Sequence, residues 1–201
     1  MTEEQGPNSW IQEVRHRLTT PSPNRLPPSD ARPAAVLVPL FVDAGELWTL
    51  LTKRAESLPH HRSQIAFPGG GREIGEDPWA AALRETEEEL GFDTRQVVRL
   101  GELDEAETPS GFRIIPCVGA VPSRLEPNIN EDEIAEVFSV PLLAFADFRV
   151  VEDRMVKIDG VERMIRVYHL GSRQVWGLTA RILQNLLHRL GLELPDEEGA
   201  G

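Results

Sequence analysis

Cysteine is almost absent: Cys117 alone stands in 201 residues, so no disulfide can form within the chain. A lone thiol suits a reducing compartment. Set in the apolar run IIPCVGAV, it reads as a small core side chain rather than a nucleophile. Long hydrophobic runs are also missing. No N-terminal stretch reaches the length of a signal peptide or a membrane span, which points to the cytoplasm and away from a membrane protein. Positive charge is in deficit, with 21 Lys and Arg against 33 Asp and Glu and a net charge of −12. A general nucleic-acid binder or anionic-membrane binder needs a basic surface, so neither partner is expected. What remains is ordinary for one globular domain: 40% hydrophobic and 27% charged residues.

The most informative stretch runs from Gly70 to Phe92, GGREIGEDPWAAALRETEEELGF. Glu85, Glu88 and Glu89 are spaced i, i+3, i+4, so a helix places Glu88 and Glu89 about 60° and 40° either side of Glu85. Trp79, Ala82, Leu83, Thr86 and Leu90 form a separate apolar stripe, so the helix can bury that face while the carboxylates look elsewhere. Glu87 points away from the cluster. Like charges at these spacings repel, and a cation offsets the cost. An all-oxygen donor set suits Mg²⁺ or Mn²⁺.

The full spacing is G-x5-E-x7-R-E-U-x-E-E-x-G-U, carried by Gly70, Glu76, Arg84-Glu85, Glu88-Glu89, Gly91 and Phe92, with Thr86 where a bulky aliphatic is usual. This resembles the signature of the Nudix hydrolases, which cleave a nucleoside diphosphate linked to another moiety. The resemblance implies an α+β (mixed α/β) fold, a mixed sheet sandwiched between helices, with the signature helix carrying the metals. It further implies metal ligation by Glu85, Glu88 and Glu89, with Glu85 also the leading candidate for the base. Arg84, paired with Glu76, would orient the carboxylates. Glu131, Glu133 and Glu136 lie where a base outside the signature could fall.

The flanks LLTKRAESLPHHRSQIAFPGG (50–70) and LGELDEAETPSGFRIIPCVGAV (100–121), with later landmarks at 136–147 and 175–183, resemble the coenzyme A pyrophosphatase subgroup. Departures are Pro59 and Ser63, where Arg and Gly are common. The implied reaction is hydrolysis of coenzyme A or its thioesters to adenosine 3′,5′-bisphosphate and 4′-phosphopantetheine or its acyl form. An ADP-ribose or related nucleoside-diphosphate pyrophosphatase, and a silent nucleotide-binding domain, are the alternatives. Lys53, Arg54, Arg62 and Arg72 make the stretch before the helix locally basic, fit to hold substrate phosphates. Arg54, His61, Arg62, Gly69 and Gly70 are the candidate substrate-binding residues, the glycines giving the backbone freedom to approach a ligand.

Along the chain, residues 8–18 have helical spacing, and five prolines in 20–33 make a tether. Strands are expected at 34–42, 47–54, 65–67, 96–104, 112–121, 148–158 and 161–170, and helices at 78–90, 140–146 and 176–190. The expected organisation is an N-terminal helix and tether (1–33), a hydrolase domain (34–190) and a mobile acidic tail (191–201), as a monomer or homodimer acting on a small molecule.

Overall fold

A computed structural model describes residues 9–57, 63–158 and 160–192. The elements run α1 (Ser9–Thr19), β1 (Arg32–Asp43), β2 (Glu46–Arg54), β3 (Ile65–Ala66), β4 (Gly69–Gly71), α2 (Pro78–Leu90), β5 (Val98–Glu102), β6 (Ala106–Glu107), β7 (Phe112–Ala120), β8 (Ile134–Pro141), β9 (Val151–Ile158), β10 (Val161–Leu170), β11 (Arg173–Val175) and α3 (Gly177–Leu190). The first eight strands form one mixed sheet, and β9–β11 form a small antiparallel one.

One split in the large sheet creates the site. Strand β1 pairs in parallel with β7 from Arg32 to Leu40, but antiparallel with β2 only over Leu40–Asp43. Beyond that point β1 and β2 separate. Strand β3 pairs with Thr52 and Lys53 of β2, and β4 pairs with Ala34–Val36 of β1. The Pro68–Gly71 segment thus enters the sheet in the gap, because its glycines let the backbone lie flat against β1.

Helix α2 lies over this gap. Asp77 caps it, accepting from the N–H groups of Trp79 at 3.0 Å and Ala80 at 3.3 Å, and Pro78 occupies the first turn, where a missing N–H costs nothing. Gly91 ends it at φ 64°, its N–H donating to Glu87 O at 2.8 Å. Alternation along the strands sends Ala35, Leu37, Ile115 and Cys117 toward Ala81 and Ala82 of α2. Val38, Leu40, Leu51 and Val118 point to the other face, where α1 and α3 cover them. This is the expected sandwich. Cys117 is fully buried, and burial pushes its thiol pKa up to about 12, in keeping with a core role.

Two regions differ from expectation. Strand β8 occupies 134–141, where only a short helix at 140–146 is foreseen; that helix is a 3₁₀ segment, Leu142–Ala146, following the strand. As an edge strand, β8 leaves Glu136 and Ser139 outside the core, which breaks up the apolar signal. The proline-rich stretch is pinned rather than loose: Leu26 N–H donates to Glu105 Oε2 at 2.9 Å, and Asn24 Nδ2 to Asp104 Oδ2 at 3.1 Å. Val14 and Leu18 of α1 share one core cluster with Leu183 and Leu187 of α3. Of the expected acidic tail (191–201), residues 193–201 lie outside the described residues. Among the described residues, no helix is long and apolar enough to cross a membrane.

Gly91→Ala tests how tightly α2 is seated. A Cβ there would fall 2.4 Å from Asn128 O, in a left-handed conformation. We expect a loss of at least about 1 kcal/mol in a urea titration; an unchanged midpoint would contradict this packing.

Candidate active site

The three signature glutamates leave α2 at three depths. Glu89 is 3% exposed, whereas the side chain of Glu85 is 21% exposed and that of Glu88 is 59% exposed. The cluster is therefore not one solvent-facing set, as the helical wheel suggests. Glu89 turns under the helix toward the gap between β1 and β2, beside Thr86 on the buried stripe. Thr86 fits its apolar position by returning its hydroxyl to Ala82 O at 2.6 Å, and Glu87 points away, accepting from Thr94 Oγ1 at 2.7 Å.

Arg84 ties the site together. Its Nε and Nη2 donate to the two Glu76 oxygens at 3.0 and 3.1 Å, Nη2 also to Gly71 O at 3.0 Å, and Nη1 to Glu85 Oε1 at 2.7 Å. Glu88 Oε2 lies 3.5 Å from the same Nη1. The planar fork suits this bidentate grip. Hydrogen bonding to Glu76 first, and then to Glu85, raises the Arg84 pKa, and the Arg84 bond holds Glu76 below the usual carboxylate range. Glu76 Oε2 also accepts from Glu73 N–H at 2.9 Å, which closes the loop before the helix.

Glu89 is held differently. Gly69 N–H donates to its Oε2 at 3.0 Å, and Arg54 Nη1 lies 3.6 Å from its Oε1. Burial is the largest effect on Glu89 and raises its pKa to about 7; Gly69 and Arg54 pull it down, and Glu133 and Glu85 push it up. Gly69 has φ 146°, and a Cβ there would fall 2.4 Å from Ala35 O, so this contact requires glycine. Arg54 Nε is buried with no hydrogen-bond partner among the described residues, leaving a donor beside the carboxylates.

Among the described residues, no three His, Cys, Asp or Glu groups already converge as a ready cation site, because Glu85 and Glu88 are turned onto Arg84. The residues nonetheless suit a hard divalent cation. Glu89 is buried among like charges with a single cation 3.6 Å away, and the donors are all oxygens. Gly70 leaves the space into which Glu85 extends: a Cβ there would sit 2.2 Å from Glu85 Oε2.

The other expected residues separate. Arg54 and Gly69 join Glu89, and Gly70 joins Glu85. Arg72 is committed to the loop, its Nε donating to Glu76 O at 3.1 Å. Lys53 lies beside Glu136, which pairs with Arg173, whose guanidinium also covers the Phe138 ring at 4.4 Å. Glu131 is exposed in the turn before β8. Glu133 is close enough to Glu89 to disfavour its charge, and Asn130 Nδ2 donates to Glu133 Oε1 at 3.2 Å. His61 and Arg62 lie outside the described residues, as does His60. Asn130, whose N–H donates to Glu89 O at 2.9 Å, and the Gly71 carbonyl escape sequence reasoning, since their contacts are made by backbone atoms or depend on the loop path.

Glu89 gives a pH prediction. Its folded pKa, about 7, exceeds the usual 4.5, so the native state binds more protons than the unfolded chain between those values. Stability falls as pH rises through that window. In chelator, Glu89→Gln is therefore expected to exceed wild type at pH 8 by about 1–3 kcal/mol, with the difference closing toward pH 4.5. Thermal melts at both pH values check it; a variant less stable than wild type at pH 8 contradicts it. Gly70→Ala is expected to keep its melting temperature but lose hydrolytic activity, because only the end of Glu85 must move; retained activity would show that Glu85 needs no such space.

Comparison with known proteins agrees with this geometry. A sequence profile of the NUDIX domain matches residues 31–158. The protein described as "Uncharacterized Nudix hydrolase NudL" of Pectobacterium atrosepticum is 37% identical over 187 residues, covering 91% of this chain and 93% of the relative. The protein of the same description from Yersinia enterocolitica is 34% identical over 181 residues, covering 89% and 91%. Among solved structures, a MutT/nudix family protein from Enterococcus faecalis superimposes with a TM-score of 0.52 at 22% identity, over 83% of this chain and 64% of that one, which supports the fold. The signature glutamates on α2, the profile and these relatives together place the chain in the Nudix hydrolase family, whose enzymes hydrolyse pyrophosphate bonds with divalent metal ions.

Proposed function

We propose that this chain hydrolyses the pyrophosphate of coenzyme A or its thioesters, in a reducing cytosol, with Mg²⁺ or Mn²⁺. The observation that carries the chemistry is the pairing of a buried Glu89 with Arg54 beside an Arg84-organised Glu85 and Glu88. The flanks LLTKRAESLPHHRSQIAFPGG and TPSGFRIIPCVG support the choice of coenzyme A over other nucleoside diphosphates.

In this reading Glu85, Glu88 and Glu89 hold the cation. When bound, it neutralises phosphate oxygens and makes a water nucleophilic near neutral pH. Arg84 keeps Glu85 and Glu88 aimed, and Glu76 and the Gly71 carbonyl keep Arg84 in place. Arg54 presents its buried Nε–H to a non-bridging oxygen of the pyrophosphate. Water adds to one phosphorus, the bridging P–O bond breaks, and two phosphomonoesters leave. The proton from water passes to a carboxylate oxygen, of Glu85 or of Glu133. Glu133 is the glutamate outside the signature that lies beside Glu89; Glu136 is engaged by Arg173.

In this reading Arg54, beside Glu89, serves the pyrophosphate, and Arg62 is left to read the 3′-phosphate. A 3′-phosphate held by arginine contributes about 1.5–3 kcal/mol, so coenzyme A is expected to exceed dephospho-coenzyme A about ten- to hundredfold in kcat/KM. Arg62→Ala narrows that gap, and Arg54→Ala lowers kcat for both. Faster cleavage of ADP-ribose than of coenzyme A would overturn the substrate and leave the hydrolase. Glu133→Gln and Glu136→Gln separate the base candidates: a large fall in kcat confined to Glu133→Gln is expected, and a fall confined to Glu136→Gln contradicts the assignment. Arg84→Ala is expected to lower kcat with little change in KM, the pattern of lost transition-state organisation; a large rise in KM with kcat preserved would make it a substrate clamp.

A further inference from the structure

A cavity of about 410 Å³ opens beyond the C-terminal end of α2, within the size range of small-molecule sites. Phe41, Leu50, Val137, Phe138 and Ser139 of the strands line it together with Leu125 and Ile129 of the loop between β7 and β8. Among the described residues, no charged side chain lines it. In a chain with 27% charged residues, that makes it unfit for a phosphate or a nucleotide and fit for an uncharged, largely aliphatic group. Its aromatic wall is backed by a second ring, Trp48 stacked on Phe41 at 6.3 Å.

The cavity is coupled to the carboxylates through one loop. Ile129, in the cavity lining, lies between Asn128, whose N–H donates to Leu90 O at 2.9 Å, and Asn130, whose N–H donates to Glu89 O at 2.9 Å. Strand β2 joins the two places as well. Leu50 and Arg54 lie on one face of it, four residues and about 13 Å apart, with Leu50 in the cavity and Arg54 at Glu89. That separation is within reach of a flexible arm of about a dozen bonds, so a ligand whose pyrophosphate sits at Arg54 can place the group at the end of such an arm in the cavity.

We propose that this cavity takes the aliphatic acyl chain of a coenzyme A thioester, making the enzyme selective for acylated over free coenzyme A. The proposal rests on the coenzyme A reading and adds the chain-length preference and the residues that set it.

The test is kcat/KM over coenzyme A and its acetyl, butyryl, hexanoyl and octanoyl thioesters, for wild type, Ser139→Phe and Leu125→Ala, with calorimetric binding of S-octanoyl-pantetheine, which has no pyrophosphate. Each added methylene is expected to raise wild-type kcat/KM about two- to fourfold from butyryl onward, mostly through KM. Ser139→Phe, a change at an exposed edge residue, fills the cavity and flattens the series while leaving free coenzyme A within about twofold. Leu125→Ala enlarges the cavity and shifts the preference to longer chains, and it carries the test if the first variant does not fold. A flat wild-type series without octanoyl-pantetheine binding, or a rise that persists unchanged in both variants, overturns the proposal. If no thioester is hydrolysed yet octanoyl-pantetheine binds wild type and not Ser139→Phe, the substrate reading fails and the cavity assignment stands.

Discussion

Three acidic side chains and one backbone carbonyl could not share so small a space without the Arg84 guanidinium between them. Glu76, Glu85, Glu88 and the Gly71 carbonyl all face it, and all but Glu88 take a hydrogen bond from it. The less buried glutamates are thereby paired within the protein, while the buried Glu89 depends on Gly69 and the more distant Arg54. That asymmetry sets the chemistry. Two carboxylates are oriented and accessible, and a third is held at a pKa of about 7, where a cation would restore its charge.

The fold serves this electrostatic arrangement by splitting its sheet. Had β1 and β2 stayed paired beyond Leu40, there would be no opening for the Gly69–Gly71 backbone and no N–H to meet Glu89. Helix α2 bridges the opening, and the 121–133 loop binds the helix end through Asn128 and Asn130. The carboxylates, the arginine facing them and the uncharged cavity thus share one side of the sheet. The small β9–β11 sheet packs near α3 on the other.

Much of this is legible from the residues. The spacing of Glu85, Glu88 and Glu89 places them on α2, Asp77 and Pro78 mark its start, and Gly91 marks its end, because helix geometry and capping are local. The Arg84–Glu76 pair follows from resemblance and is present as a bidentate contact. What cannot be read depends on how distant segments meet. The burial of Glu89 comes from the split sheet beneath it, and the basic stretch does not form one patch, since Lys53 and Arg54 point to opposite faces of β2. Strand β8 is hidden by its edge position, and which of Glu131, Glu133 and Glu136 comes to lie beside Glu89 depends on the path of the preceding loop. Local pattern carries no such information.

The central claim is that Glu85 and Glu89 hold the cation that drives pyrophosphate cleavage. Its most direct measurement is chromatographic turnover of coenzyme A against Mg²⁺ and Mn²⁺ concentration for wild type, Glu85→Gln and Glu89→Gln. The account predicts no turnover in chelator, recovery on adding either metal to wild type, and a fall in kcat of at least about 10²-fold in each variant, the scale of lost charge stabilisation. Near-wild-type turnover in both variants, or undiminished turnover in chelator, would contradict it.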